Sequence, residues 1–314
     1  MSEPIGFDAF MDDALYGPNG FYATGSGPGR RDADFLTSPE IGPLFGAVIA
    51  IALDAWWEQL GRPDPYPVVE AAAGRGALAD AIARAEPRCA QALNYVMVDR
   101  AHPNGRDDLP EPRELGDAGI VIANELLDNL AFKLLERVDG GWRELLVSDG
   151  EFVHGEAVTG FDHVDAADGS RIPWHTHAVD WVARANAVFE RGRVVLFDYG
   201  VATTADLAAR PWRDWLRTYR DHGIGKDQLR NAGEQDITCD VAFDQLGPDR
   251  LNPQADWLRG YGIERLVAEA RATWTERAHI GDLQALAARS RVGEADALLD
   301  PSGPGGFLVA EWVR

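Results

Sequence analysis

The sequence predicts an α/β protein built on a parallel sheet, and three observations carry that reading. From Pro67 onward, short apolar runs alternate with helix-like segments: PVVEA, ALADAIARAEP, NYVMVD, GIVIANE and, later, RVVLFDYG. The runs are nearly continuous in apolar residues, as in strands buried on both faces. Between the first run and its helix lies a glycine-containing turn, Ala72-Ala73-Gly74-Arg75-Gly76. Strands that alternate with helices in this way pair in parallel.

Along the chain, Phe7 to Tyr16 has helical apolar spacing and stops at Gly17-Pro18-Asn19-Gly20, a strong turn signal. The glycine-rich stretch GSGPGRRDADF reads as a mobile loop. Ser38-Pro39-Glu40 then supplies a helix cap, a proline at the first helical position and an acid in the first turn, ahead of an apolar run to about Trp57. KLLERV and WRELLVS flank Asp139-Gly140-Gly141, which predicts a hairpin, and EFVHGEAV adds a third short strand. A helical pattern runs from about Trp174 to Glu190. Residues 201–250 show no clear period and read as an insertion. Segments 263–277 and 281–290 read as helices, and FLVAEWVR as the last strand. This divides the chain into an N-terminal helical cap, 1–62, and a sheet domain, 63–314, with the insertion at about 201–250.

The chain has 314 residues, with 51 acidic against 30 basic side chains and a formal charge of −21. Such a surface repels phosphate backbones and anionic membranes, so nucleic acid is not expected as a partner, while a cationic ligand is permitted. Cys89 and Cys239 match no metal-ligand spacing and suggest reduced thiols. The N-terminus MSEPIGFDAF has no basic region followed by an apolar run, and the stretch Ile41 to Trp57, broken by Gly42, Pro43 and Asp54, is too short to span a bilayer. The expectation is a soluble, cytoplasmic protein. His175 and His177 are wrongly spaced to share a helix face, and no metal is expected.

The turn after PVVEA lets the backbone approach a ligand, with the unpaired N–H groups of a helix start behind it. Gly74, Gly76 and Ala79 also satisfy a GxGxxA dinucleotide pattern. Glu70 at the strand end suits a cationic sulfonium, as in S-adenosylmethionine (SAM), better than a pyrophosphate. Asp99, ending the next strand, can accept hydrogen bonds from ribose hydroxyls of either cofactor, or simply cap a turn. Asn124, Glu125 and Asp128 follow the next strand. Glu125 and Asp128, three apart, share a helical face on which two acids can grip one guanidinium or cap a helix. Asp198-Tyr199-Gly200 ends a further strand and admits the same two readings.

The blocks RDADFLTSPEIGPLFG, VVEAAAGRGAL, ANELLDNLAF, VVLFDYG, LRTYRDHGIGKDQL and GEQDIT resemble, in order and spacing across nearly the whole chain, the MidA-like SAM-dependent methyltransferases. That family includes a mitochondrial protein arginine methyltransferase that assists assembly of respiratory complex I. The resemblance implies a class I, Rossmann-like methyltransferase fold with a seven-stranded sheet, FLVAEWVR being its final antiparallel strand. It implies SAM as cofactor, held by Glu70, Ala72, Gly74, Gly76, Asp99 and Asn124, and a protein substrate methylated on an arginine nitrogen. Glu125, Asp128, Asp198 and Glu40 are the catalytic candidates, with Thr37 to Glu40 and Asp128 lining the cleft. Where the family has Gly-Pro-Gly-Arg-Gly, this chain has Ala72 in place of the first glycine, and the stretch from Arg100 to Gly119 is short and Pro-rich. If position 72 requires a positive φ, alanine costs about 1 kcal/mol there. Those departures support a second reading, a methyltransferase-fold assembly or binding protein with little catalysis. A third, an NAD-dependent oxidoreductase, lacks a Tyr-x-x-x-Lys constellation.

Overall fold

A six-stranded, mostly parallel sheet carries the candidate cofactor loop. Its strands are Tyr66–Ala71 (β1), Leu93–Val98 (β2), Ala118–Asn124 (β3), Arg191–Asp198 (β4), Arg250–Pro253 (β5) and Leu308–Val313 (β6). The computed structural model describes residues 3–22, 37–99, 105–220, 223–225 and 227–314. The expected mobile loop at 25–35 lies outside them. The strand order is β5-β6-β4-β3-β1-β2. β2, β1, β3 and β4 pair in parallel, and β6 runs antiparallel between β4 and β5, as expected for FLVAEWVR. β1 is buried along its whole length, and β3 along all but its last residue, which explains their unbroken apolar runs.

The described residues show six strands in this sheet, not the seven that the resemblance implied. Beyond β2 the chain makes a single bridge, Val98 to Arg106, and then turns until β3. Pro110 and Pro112 lack the N–H groups that a further ladder needs.

The described residues fall into two units. One comprises the described parts of Phe35–Glu125, Ala185–Asp198 and Asp249–Arg314, and the other those of Met1–Asp34, Leu126–Arg184 and Tyr199–Pro248. This differs from a boundary at residue 62: residues 37–62 belong with the sheet, and residues 3–22 with the chain from 126 onward. Cooperative packing, which sequence order does not reveal, sets the division.

In the sheet unit, Pro43–Gln59 (α1) buries Leu44, Phe45, Val48, Ile49, Leu53 and Trp56, a helical stripe. It starts five residues later than Ser38 suggests, because Gly42 is fully extended and separates it from the short turn Ser38–Ile41. The buried Glu294, on Leu283–Leu298, accepts the Leu44 N–H at 2.9 Å and so places a carboxylate at the α1 N-terminus. Phe45, Phe197, Trp257 and Trp56 form an aromatic chain through the core. Trp56 is therefore a packing residue.

The other unit is antiparallel. Lys133–Val138, Gly141–Ser148 and Glu151–Val158 form the expected meander, extended by Ile5–Gly6 and Arg171–Trp174. Asp139 and Gly140 both take positive φ, the geometry of a tight hairpin turn. The helix Phe7–Tyr16 buries Phe7, Met11 and Leu15 against Phe132, Leu134, Leu145 and Trp215. The unperiodic stretch 201–250 contains a second small sheet, Gly223–Gly225, Leu216–Arg220 and Asp236–Cys239. Cys89 and Cys239 are both buried and are not joined in a disulfide.

β3 and β4 meet at a pair of glycines, Gly119 and Gly192. Gly192 has φ +148°, and an added Cβ would lie 1.8 Å from the Gly119 carbonyl oxygen. Gly192→Ala is expected to lower folding stability by about 2 kcal/mol or more. A urea midpoint equal to that of the unsubstituted protein would contradict the register described for β3 and β4.

Candidate functional site

β1 lies where the strand order reverses, between β2 and β3, so the crevice beyond the carboxyl ends of these strands is the natural ligand position in such a sheet. The loop that leaves β1 joins it to Ala77–Arg84 (α2) and takes positive φ three times, at Ala72 (+54°), Gly74 (+52°) and Gly76 (+80°). Ala72 is thus the only non-glycine of the three. A Cβ built on Gly74 would meet nothing within 4 Å, so the space over the loop is open. Gly74 N–H donates to Asp99 Oδ2 at 2.8 Å, tying the loop from β1 to the residue after β2. Gly76 N–H donates to Ala73 O at 2.8 Å and closes the turn.

Glu70, near the end of β1, is 4% exposed. The Tyr95 hydroxyl, from β2, donates to its Oε2 at 2.8 Å. Burial pushes the Glu70 carboxyl up to about 8; the Tyr95 hydrogen bond opposes this and the charge of Asp99 adds to it. Near neutral pH it therefore holds a proton until a cation arrives beside it.

At the end of β3, Asn124 Nδ2 donates to Glu125 Oε1 at 2.9 Å. Asn124 Oδ1 is buried and has no hydrogen-bond partner among the described residues, an acceptor waiting for a donor. Glu125 holds φ +52°, while its N–H donates to Phe197 O of β4 at 2.8 Å. A non-glycine residue at such a φ is strained and persists only when its surroundings fix it. Asp198, at the end of β4, is fully buried. Glu40 does something plainer: its Oε2 accepts from the Thr37 N–H and hydroxyl at 3.3 Å each, capping the turn Ser38–Ile41.

Asp128 belongs to the other unit, in the turn Leu127–Asn129, where it is buried and accepts the Tyr199 hydroxyl. Beside it is a polar cluster that sequence reasoning did not assemble. Asn129 Nδ2 donates to Asp236 Oδ1 at 3.0 Å, and the Tyr22 hydroxyl lies 3.2 Å from Asn129 Oδ1 and from both Asp236 oxygens. Burial raises both carboxyls above the usual range, and the charge of Asp128 raises that of Asp236 further. The signal is present in the sequence: ANELLDNLAF and GEQDIT are two of the blocks that carry the resemblance, and Asn129 of the one meets Asp236 of the other here. The structure thus joins Gly74 to Asp99 and Asn124 to Glu125, and sets Asp128 among groups of its own unit.

Residues 106–248 match the family described as "Putative S-adenosyl-L-methionine-dependent methyltransferase". Among curated proteins, the chain is 26% identical over 289 residues to the Drosophila melanogaster protein named "Protein arginine methyltransferase NDUFAF7 homolog, mitochondrial", covering 76% of this chain and 65% of that one. It is 25% identical over 292 residues to the Homo sapiens protein named "Protein arginine methyltransferase NDUFAF7, mitochondrial", covering 77% and 65%. The chain thus spans just under two thirds of these relatives' length. A solved Burkholderia thailandensis structure, described as a candidate methyl transferase bound to S-adenosyl-homocysteine, superposes with a TM-score of 0.79 at 25% identity, covering 99% of this chain and 88% of that one. These matches bear out the resemblance to the MidA-like methyltransferases and support SAM as the cofactor. They also correct the expected cytoplasmic location: the curated relatives are named as mitochondrial, and an N-terminus without a leader-like pattern carries no weight against that. No helix among the described residues is long and apolar enough to cross a membrane.

Two outcomes follow from the loop. Ala72→Gly is expected to raise stability by about 0.5–1 kcal/mol, the reverse of the usual loss for Ala→Gly, because position 72 takes positive φ. A lowered urea midpoint would show that Ala72 is unstrained. For Glu70, the folded chain retains a proton that the unfolded chain releases, so stability falls as pH rises from about 4.5 to about 8. Glu70→Gln should flatten that part of the decline. Melting curves recorded at several pH values across this window, superimposable for both proteins, would count against a buried, protonated Glu70.

Proposed function

We propose that the chain, which resembles the MidA-like SAM-dependent methyltransferases, transfers a methyl group to a nitrogen acceptor, and that the acceptor is a protein arginine. The observation that carries the reading is the β1 loop, with Gly74 bound to Asp99 and the acceptor Asn124 Oδ1 left open at the end of β3. The chemistry of these residues suits the cofactor: we assign Asp99 to accept ribose hydroxyls, Asn124 Oδ1 to accept a further donor, and Glu70 to ionise against positive charge. The bound cofactor supplies an electrophilic methyl carried on a sulfonium. The arginine substrate is suggested by the names of the relatives.

The protein's share of such chemistry is alignment and proton handling. An arginine guanidinium is cationic, and its nitrogen becomes a good nucleophile only as a proton leaves. Glu125, held against Asn124, is assigned to orient the guanidinium and to draw that proton. Asp198 is assigned a supporting acidic role. The buried Asp198 lies at the end of β4, beside the β3 end that carries Asn124 and Glu125.

The strained Ala72 favours a second reading, an assembly or binding protein with weak cofactor affinity. Isothermal titration with SAM, with S-adenosylhomocysteine and with NAD as control separates the two. Saturable binding of the first two alone supports the enzyme, and no binding of any supports the scaffold. For the enzyme, Glu125→Gln is expected to abolish methyl transfer to an arginine-containing protein or peptide while leaving SAM affinity within a few-fold. Full activity in that variant would remove Glu125 from the mechanism.

A further inference from the structure

The cluster around Asp128, within one unit, gathers more polar groups than the turn Leu127–Asn129 requires. Asn129 follows Asp128 in the chain and donates through its amide to Asp236, so the two carboxyls are linked through one residue. The nearby Arg217 lies over the Tyr199 ring, with its guanidinium carbon 5.5 Å from the centroid, and is bonded to Asp240 at 2.6 Å, an acid that also holds Arg210 at 3.0 Å. Burial raises both carboxyls, the charge of Asp128 raises that of Asp236 further, and Arg217 draws Asp128 back down; a cation beside them would lower both.

A separate observation lies on the same strand. Thr238 is two residues beyond Asp236 in Asp236–Cys239, so both side chains stand on one face, opposite Arg217 and Tyr219 in the ladder. Thr238 is 3% exposed, and its hydroxyl has no hydrogen-bond partner among the described residues. Asp236, Asn129 and Tyr22 each keep some exposure.

We infer that Asp236, together with Asp128 and the Thr238 hydroxyl, forms a seat for the guanidinium group of a substrate side chain. The inference rests on the nitrogen-methylation reading and deepens it by naming groups that recognise the acceptor. A guanidinium presents five N–H donors in a planar fork, which two carboxylates and a hydroxyl oxygen can receive together. An ammonium is a compact charge with three donors and matches so spread an acceptor set less well. Among the described residues, no group of three His, Cys, Asp or Glu could hold a metal ion instead.

The test titrates the full chain with the pentapeptide Gly-Gly-Arg-Gly-Gly, with its lysine counterpart, and separately with S-adenosylhomocysteine. The arginine peptide is expected to bind at least fivefold more tightly than the lysine one. Asp236→Asn should weaken it at least tenfold, and Thr238→Val at least threefold, with S-adenosylhomocysteine affinity unchanged within twofold. Thr238→Val discriminates best. If the hydroxyl is merely buried and unpartnered, the variant will be more stable to urea and bind the peptide as before, which overturns the seat. No arginine-peptide binding by the unsubstituted protein, or equal binding of both peptides, overturns it too. Peptide binding that follows the expected pattern in a chain that does not bind S-adenosylhomocysteine would support the seat and sink the methyltransferase reading, so the two fail separately.

Discussion

The candidate cofactor site depends on one constraint, the parallel pairing of β1 with β2 on one side and β3 on the other. The β1–β2 ladder runs from Tyr66 opposite Leu93 to Ala71 opposite Val98, and the β1–β3 ladder brings Ala71 opposite Ala123. Glu70, Asp99 and Asn124 therefore have fixed relative heights. A slip of one residue would turn Glu70 to the other face of the sheet and part it from Tyr95. The Gly74–Asp99 hydrogen bond adds a cross-tie between the β1 and β2 ends, so the loop is held from both sides before any ligand arrives.

Much of this was legible in the sequence, and for an identifiable reason. Buried parallel strands must be apolar on both faces, so β1, β3 and β4 announce themselves as continuous runs, and the residues that follow them are the candidate ligands. Where the pattern carries less information, reading fails. Arg250–Pro253 is a largely exposed edge strand of four residues, too short and polar to show a period. The start of α1 was misplaced because Ser38-Pro39-Glu40 is a sound helix start whose helix ends at Gly42. The stretch 201–250 looked irregular because its small antiparallel sheet has short strands whose partners lie up to about twenty residues away. Asp236 was overlooked for the same reason. Only the fold brings it to Asn129, more than a hundred positions earlier.

The electrostatics of the site groups run against the overall charge. A chain with 51 acidic residues exposes most of them, yet Glu70, Asp128 and Asp198 are buried. Burial is costly for a carboxylate and less so for a carboxylic acid, so Glu70 and Asp128 hold their protons more tightly than an exposed acid does. Such groups store an attraction for positive charge that a protonated carboxyl does not express. A cationic cofactor and a cationic side chain are both ligands able to release it, and each would shed protons from the protein as it bound. Exposed acids, already ionised and hydrated, offer no comparable discrimination.

Two of the strands that lead to the site end on a non-glycine residue with positive φ: Ala72 follows β1, and Glu125 follows β3. The same strain has different meanings at the two places. At 125 the side chain is a carboxylate held by Asn124, so a glycine would relax the backbone and lose the group; the strain is the condition for having an acid at that turn. At 72 the side chain is a methyl group that adds no polar contact, and a glycine would serve the same backbone without cost. The loop nonetheless keeps its shape, because Ala73 N–H reaches Val98 O at 3.4 Å and Gly76 N–H reaches Ala73 O at 2.8 Å. The geometry of the candidate cofactor loop is thus imposed by its neighbours and does not require glycine at its first position. An alanine there weakens the support for a working site less than the sequence alone suggests.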